Sequence, residues 1–352
     1  MRGARERRPP KSTVAVRVGK VVFWFVFGLA VVVVGGYIFL QLWARPPEIK
    51  AEAPSPILVT VYPTDNPDTA IDESQGDPTM VPVVQGKTRK EDCHTILVMG
   101  MDDGNGNTDT IMAVTFDVKN KHVSVVSIPR DTLVDVPRTV KKINAAYSAG
   151  GVEEVQREVS AILGYPVDHY VLVNLRGFKA LVDEVGGVDF DVPINMNYDD
   201  PTQNLHIHLS KGMQHLDGEK ALQLVRFRSG YVNADIGRIE TQQAFLKALA
   251  RKVISWNSVT KINSFVDIFA KNVKTDLSAG NLAYFGLAAL ELDTTNGISM
   301  RTLPGNGEVT YKGIPYYYEL YPQQVLDIVN QSGLNPYTED LSLEELDLFQ
   351  VS

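Results

Sequence analysis

The sequence predicts an α/β domain built on a mixed β-sheet covered by helices on both faces, a three-layer α-β-α arrangement, preceded by one N-terminal transmembrane helix. Three observations predict it. Strand-length apolar runs alternate with amphipathic helical segments from about residue 92 to 335. An uncharged run of 24 residues, Val21 to Ala44, stands before them. Between the two lies a stretch rich in Pro, Thr, Asp and Gly with no sustained apolar period.

The first element is the run VVFWFVFGLAVVVVGGYIFLQLWA, residues 21–44. At ~1.5 Å rise per residue it is long enough to cross a hydrocarbon core of about 30 Å. Trp24 and Trp43 stand near its two ends, where indole rings favour the interface. Residues 1–20 form a basic tail with Arg2, Arg5, Arg7, Arg8, Lys11, Arg17 and Lys20 against Glu6 alone. The positive-inside rule therefore puts the N-terminus in the cytoplasm and the rest of the chain outside. A cleaved signal peptide is the competing reading, but the run exceeds an h-region of about 7 to 15 residues, and the flank ARPPEIK lacks a clean small-x-small site.

Residues 45–91 read as an extracytoplasmic linker holding the domain off the bilayer. Within 92–335, TILVM (95–99) and IMAVTF (111–116) read as buried strands, and HVSVVSI (122–128) follows DVKNK as the second arm of a hairpin. Val152, Val155, Val159, Ile162 and Leu163 have helical spacing, as do Phe178, Leu181, Val182 and Val185, and then Ile239, Leu246, Leu249 and Val253. HYVLVNL and VDFDV supply further strands between them. Residues 336–352, beginning PYTEDLSLEELD, read as a short acidic tail.

The whole chain carries a formal charge of −8; without the basic tail, 27 Lys and Arg face 41 Asp and Glu. Such a surface excludes a general nucleic-acid binder, so clustered arginines must form a local site. The single Cys93 rules out an intrachain disulfide and reads as a small core residue.

Three stretches carry candidate chemistry. GMDDGNGNTDT (100–110) gathers Asp102, Asp103 and Asp109 after a strand, a composition that suits oxygen ligation of a hard cation such as Mg²⁺, or a plain solvated turn. SIPRDTLVDVP ends the next strand with Arg130 and Asp131, which also read as a local ion pair. LVRFRSGYVNADIGRIETQQ (224–243) holds Arg226, Arg228 and Arg238. If Arg226-Phe227-Arg228 is extended, both guanidinium groups share one side, and Asp235 can cap a helix that starts near Ile236. Arg238 then lies in a first helical turn, where a cation opposes the dipole unless an anion binds too. Guanidinium forks match phosphate oxygens, and an arginine–carboxylate network is the competing explanation.

In order along the chain, GMD, TDTIM, SIPRDT, KINAAYSAGG, YVLVNLRGFKALVDEVGGVDFDVP, KGMQHLDGEKALQLVRFR and the D-x-x-R of Asp235 and Arg238 resemble successive motifs of the LytR-CpsA-Psr family, over roughly residues 94 to 335. The resemblance implies a bacterial cell-envelope phosphotransferase that moves a glycopolymer from an undecaprenyl-pyrophosphate carrier onto peptidoglycan. It implies Mg²⁺ at the pyrophosphate and an apolar cavity for the polyprenyl chain. Asp102 and Asp109 match the acidic pair associated with the metal. Arg130, Arg226, Arg228 and Arg238 match the residues that grip the phosphates, with Gln242 beside them. Asp109 or Asp131 is then the proton acceptor for the attacking sugar hydroxyl.

Two departures stand out. Asn107-Thr108-Asp109-Thr110 replaces the family's Arg-Ser-Asp-Thr, and Thr241 stands where an arginine usually precedes Gln242. A hydrolase acting on the same lipid, and an anchored glycan-binding protein without chemistry, are the alternative functions; the missing cations favour the second of these. Elsewhere, His206 and His208 in LHIHL share a strand face in a spacing that suits a transition metal, but with no third ligand evident they read as a solvent-facing pair. The tyrosines of YKGIPYYYELYP (311–322) suit either sugar stacking or packing at the domain edge.

Overall fold

The computed structural model describes residues 43–49, 56–61, 79–84, 86–101, 106–201, 205–227, 230, 235–255, 273–293 and 296–351. Most of the expected membrane segment 21–44 and the residues Asp102, Asp103 and Arg228 lie outside these, as does the side chain of Asp235. Among the described residues no helix is long and apolar enough to cross a membrane.

The strands β1 (Pro56–Val61) and β2 (Thr79–Val84) pair as an antiparallel hairpin. Next come β3 (Cys93–Met101), β4 (Thr108–Asp117) and β5 (His122–Ser127), then α1 (Ala146–Leu163), β6 (His169–Asn174) and α2 (Leu175–Glu184). Four short strands follow: β7 (Val188–Val192), β8 (Met196–Asp200), β9 (Leu205–Leu209) and β10 (Gly212–Leu216). After α3 (Gly218–Arg226) and α4 (Asp235–Ser255) the chain adds β11 (Val273–Thr275), α5 (Ala279–Ala289) and β12 (Ile298–Thr302). It closes with β13 (Gly305–Tyr311), β14 (Ile314–Leu320) and α6 (Pro322–Gln331).

Six strands form the central sheet in the order β11-β6-β3-β4-β5-β12. It is mixed: β3 runs antiparallel to β4 and parallel to β6, and β12 runs parallel to β5. Alternation along β3 sends Leu97 and Met99 to one face and Ile96 and Val98 to the other. The first face packs under α1, through Val155, Val159 and Ile162, and under α6, through Val325 and Val329. The second packs against Phe285 of α5. Helices therefore cover both faces, as the alternating pattern predicts. The VDFDV strand does not join this sheet; among the described residues β7 pairs with β10 alone.

A second apolar cluster lies among the short strands and joins Val182 of α2, Leu224 of α3, Phe245 of α4, Ile207 and Leu209. The approach of α2 and α3 is set by Gly218, where a Cβ would lie 2.4 Å from the Lys179 carbonyl oxygen. Asp217 caps α3 by accepting from Lys220 N at 2.9 Å, and Asp183 accepts from Gly218 N at 2.7 Å.

Segments expected outside the domain pack onto it. Leu341 and Leu346 of the acidic stretch are buried in the first core, with Leu346 against Gly164, the left-handed residue that ends α1. Leu341, Leu346 and Leu348 supply that contact, while Leu343 and the acids between them stay on the outside. In the stretch 45–91, Arg89 pairs with the fully buried Asp168, and Lys90 N donates to the Pro336 carbonyl at 2.9 Å. Residues 43–49 lie along the start of α5, where Arg45 N donates to the Gly280 carbonyl and Asn281 Nδ2 to that of Arg45. These residues are attached to the domain and are not free spacer. Cys93 is buried, and burial pushes its thiol up to about 11, in keeping with a packing role.

Candidate functional site

The site starts from an irregularity in the central sheet. β3 and β4 pair Gly100 with Thr110 and Met101 with Thr108, so the register shifts by one and Asp109 is the extra residue. A bulge of this kind re-aims a side chain: Asp109 and Thr110 are both exposed, whereas strict alternation would turn one inward. The carboxylate of Asp109 meets Arg130, whose Nη1 donates to Oδ1 at 2.7 Å. Arg130 follows the end of β5 in a turn closed by Thr132 N and Oγ1, both donating to the Pro129 carbonyl.

Asp131 holds two cations. Its Oδ2 lies 3.5 Å from Arg130 Nε, and its Oδ1 accepts from Lys142 Nζ at 2.9 Å. Lys142 also lies over the ring of the buried Tyr317, 5.2 Å from its centroid. Burial works against the charge on Arg130, but Asp109 and Asp131 outweigh it and raise the guanidinium above its ordinary value. The two motifs are knit by backbone bonds from Ile143 N to the Thr132 carbonyl and from Asn144 N to that of Arg130, each 3.0 Å. Lys142 has no role in the sequence reading; its place in KINAAYSAGG beside SIPRDT is the only hint of it.

The helices that carry Arg226 and Arg238 are tied to the same end of the sheet. Arg226 is the last residue of α3 and not part of an extended run, a correction to the expected pairing with Arg228 across Phe227. The helix wins because Asp217 caps it and Ala221 and Leu224 bury its inner face. At this terminus a cation complements the helix dipole. Phe227 is extended and buried in the second apolar cluster. Arg238 does lie in the first turn of α4, which begins at Asp235. Gln242 Nε2 donates to the Val225 carbonyl at 2.7 Å, tying α4 to the end of α3. Gln243 Nε2 donates to Thr302 Oγ1 at 2.7 Å, and Thr302 pairs with Ser127, three residues before Arg130. The helix that carries Arg238 is therefore pinned to the strand end that carries Arg130. Thr241, where the resemblance leads one to expect an arginine, is buried, and its hydroxyl donates to the Gly237 carbonyl at 2.8 Å.

For the metal, Asp109 offers a hard carboxylate oxygen at an open strand end, the donor type Mg²⁺ prefers. Asp102, its expected partner, lies outside the described residues. Both oxygens of Asp131 face cations, Arg130 and Lys142.

A family model, that of the LytR_cpsA_psr family, matches residues 58–332. The chain belongs to this family. Among its relatives, the polyisoprenyl-teichoic acid–peptidoglycan teichoic acid transferase TagU of Bacillus mycoides is 30% identical over 304 residues, 85% of this chain and 92% of TagU. TagV of Bacillus subtilis, named for the same transfer, is 35% identical over 242 residues, 64% of this chain; the match spans 60% of TagV. The B. subtilis TagV crystal structure superposes with a TM-score of 0.61 at 31% identity, covering 71% of this chain and all of that one (100%). A structure of TagT bound to LI-WTA has a TM-score of 0.56 at 26% identity, covering 73% and 99%. The mixed α/β fold expected from the sequence is that of these family structures.

Proposed function

We propose that this member of the LytR_cpsA_psr family is a membrane-anchored phosphotransferase that moves a glycopolymer from an undecaprenyl-pyrophosphate carrier to peptidoglycan outside the cytoplasmic membrane. The observation that carries the reading is the Asp109–Arg130 pair at the open end of the sheet, in a chain whose relatives TagU and TagV are named for teichoic acid transfer to peptidoglycan. The anchoring rests on the uncharged run Val21 to Ala44 and the basic residues before it.

In this reading the acceptor hydroxyl attacks the phosphorus next to the glycan. A P–O bond forms to the acceptor, the bridging P–O bond breaks, and polyprenyl monophosphate leaves with the electron pair. Arg130 offsets charge on the transferred group, and Arg226, Arg228 and Arg238 hold the departing phosphate, with Gln242 fixing the α3–α4 junction. Asp109 and Asp102 would hold Mg²⁺, which would supply further positive charge at the pyrophosphate. Asp109 or Asp131 receives the hydroxyl's proton. The apolar cluster around Phe227 begins where Arg226 ends, which suits a ligand with a charged head and a hydrocarbon tail.

The test is to incubate the protein with Mg²⁺, a polyprenyl-pyrophosphate saccharide and peptidoglycan fragments and to weigh the products. The reading expects peptidoglycan that has gained the saccharide phosphate. Saccharide phosphate released into water with the acceptor unmodified would make the chain a hydrolase, and unchanged lipid would make it a binding protein.

A further inference from the structure

The strand pair β8–β9 carries a cluster that the transfer reaction does not use. Its register sets Asp199 opposite His206 and Asn197 opposite His208. Alternation puts all four side chains on one face, where they are exposed, and turns Met196, Ile207 and Leu209 into the second apolar cluster. The hairpin is thus anchored from behind, and His208 N also donates to Gln223 Oε1 of α3 at 3.0 Å.

On the exposed face the donor atoms converge. His206 Nδ1 lies 2.5 Å from Asp199 Oδ1, and His208 Nε2 lies 3.4 Å from the same oxygen. All three lie within 4.8 Å of one another. His208 Nδ1 donates to Asn197 Oδ1 at 3.1 Å, which leaves Nε2 as the lone-pair nitrogen turned toward Asp199. The carboxylate is the third ligand that LHIHL alone does not reveal, because it comes from the neighbouring strand.

We propose that Asp199, His206 and His208 form a transition-metal site on the β8–β9 hairpin, suited to Zn²⁺ and separate from any Mg²⁺ at the pyrophosphate. Two imidazoles and one carboxylate are a donor set for zinc and its neighbours, whereas Mg²⁺ takes oxygen ligands. Zinc bonds of about 2.0–2.2 Å in tetrahedral geometry separate their ligand atoms by roughly 3.3–3.5 Å. His206 Nδ1 and Asp199 Oδ1 need move apart by only about 1 Å to reach that spacing, which exposed side chains on a fixed strand pair can do by rotation. A bound cation would take the place of the hydrogen bond between them. Three protein ligands leave a coordination position for water or an outside group. A useful contrast is His215, which lies 2.8 Å from Asp189 on β10 and β7, an exposed imidazole–carboxylate pair not included in the cluster of three.

The experiment titrates Zn²⁺ into full-length protein in detergent, purified without a polyhistidine tag, against a chromophoric chelator and in excess Mg²⁺. One Zn²⁺ per chain is expected. H206A and H208A should each weaken binding by about tenfold or more, and N197A, which frees the His208 ring, by roughly tenfold. H215A should leave binding unchanged, and melting curves without metal should match wild type in all four variants. Binding by the H206A/H208A double variant as tight as by wild type, or no binding by the folded wild-type protein, would overturn the assignment.

Discussion

Arg130 Nη1 donates to Asp109 Oδ1 at 2.7 Å although 21 residues separate the two in sequence. The contact exists because a bulge turns Asp109 outward at the start of β4 and β5 delivers Arg130 beside it. It joins the first acidic motif to the first arginine motif and makes one site of them.

Asp109→Asn should remove most transfer activity while shifting Tm little, because the side chain is 36% exposed and packs in no core. Chelation of Mg²⁺ should reduce wild-type activity comparably. Full activity in the variant, or indifference to chelator, would remove the metal assignment.

Arg226→Ala and Arg238→Ala should each weaken a short-chain polyprenyl pyrophosphate by about 1.5 to 3 kcal/mol, the range for hydrogen bonds to charged groups. Lysine should rescue each only in part, since it keeps the charge and loses the fork. Titrations with melting curves alongside decide the matter. Lower Tm with affinity unaltered in the folded fraction would mean that these arginines serve only the protein's own carboxylates.

Much of this was legible before the structure. The spacing of Val152, Val155, Val159 and Ile162 finds α1, and the apolar runs at 95–99 and 111–116 find the two central strands. What escaped depends on contacts between distant parts of the chain. VRFR alternates like a strand, but the Asp217 cap and the packing of Ala221 and Leu224 carry the helix through Arg226. Asp131 meets Lys142 through the fold of the intervening turn, and Asp199 meets His206 through a register that composition does not show. The attachment of residues 86–90 is equally invisible, since Arg89 finds its partner Asp168 across 79 residues.

Arg89→Met should cost about 3 to 5 kcal/mol of stability, the range for stranding a buried charge. Asp168 is fully buried, and besides Arg89 it is met by Thr95 N and Oγ1. Replacing both partners, Arg89→Met with Asp168→Asn, should recover part of that loss in urea melts. An undiminished midpoint in the single variant would show that Arg89 is dispensable to the domain.

Acid should weaken the fold through His94. The ring is 2% exposed, and burial lowers its pKa below 6.5 despite the hydrogen bond to Asp92. Between 6.5 and that lower native value the unfolded chain binds the proton and the folded chain does not, so stability is lost as pH falls through this window. The slope for this one proton approaches about 1.4 kcal/mol per pH unit. His94→Gln should flatten the dependence, seen in denaturant melts from about pH 7.5 to about pH 5.

The most direct test is the rate at which polyprenyl monophosphate is released in the presence of peptidoglycan fragments, measured for wild type and Arg130→Ala with Tm alongside. If Arg130 stabilises the transferred phosphoryl group, the rate should fall by about 10² or more, with Tm within a few degrees of wild type. An unchanged rate in the folded variant would contradict the account.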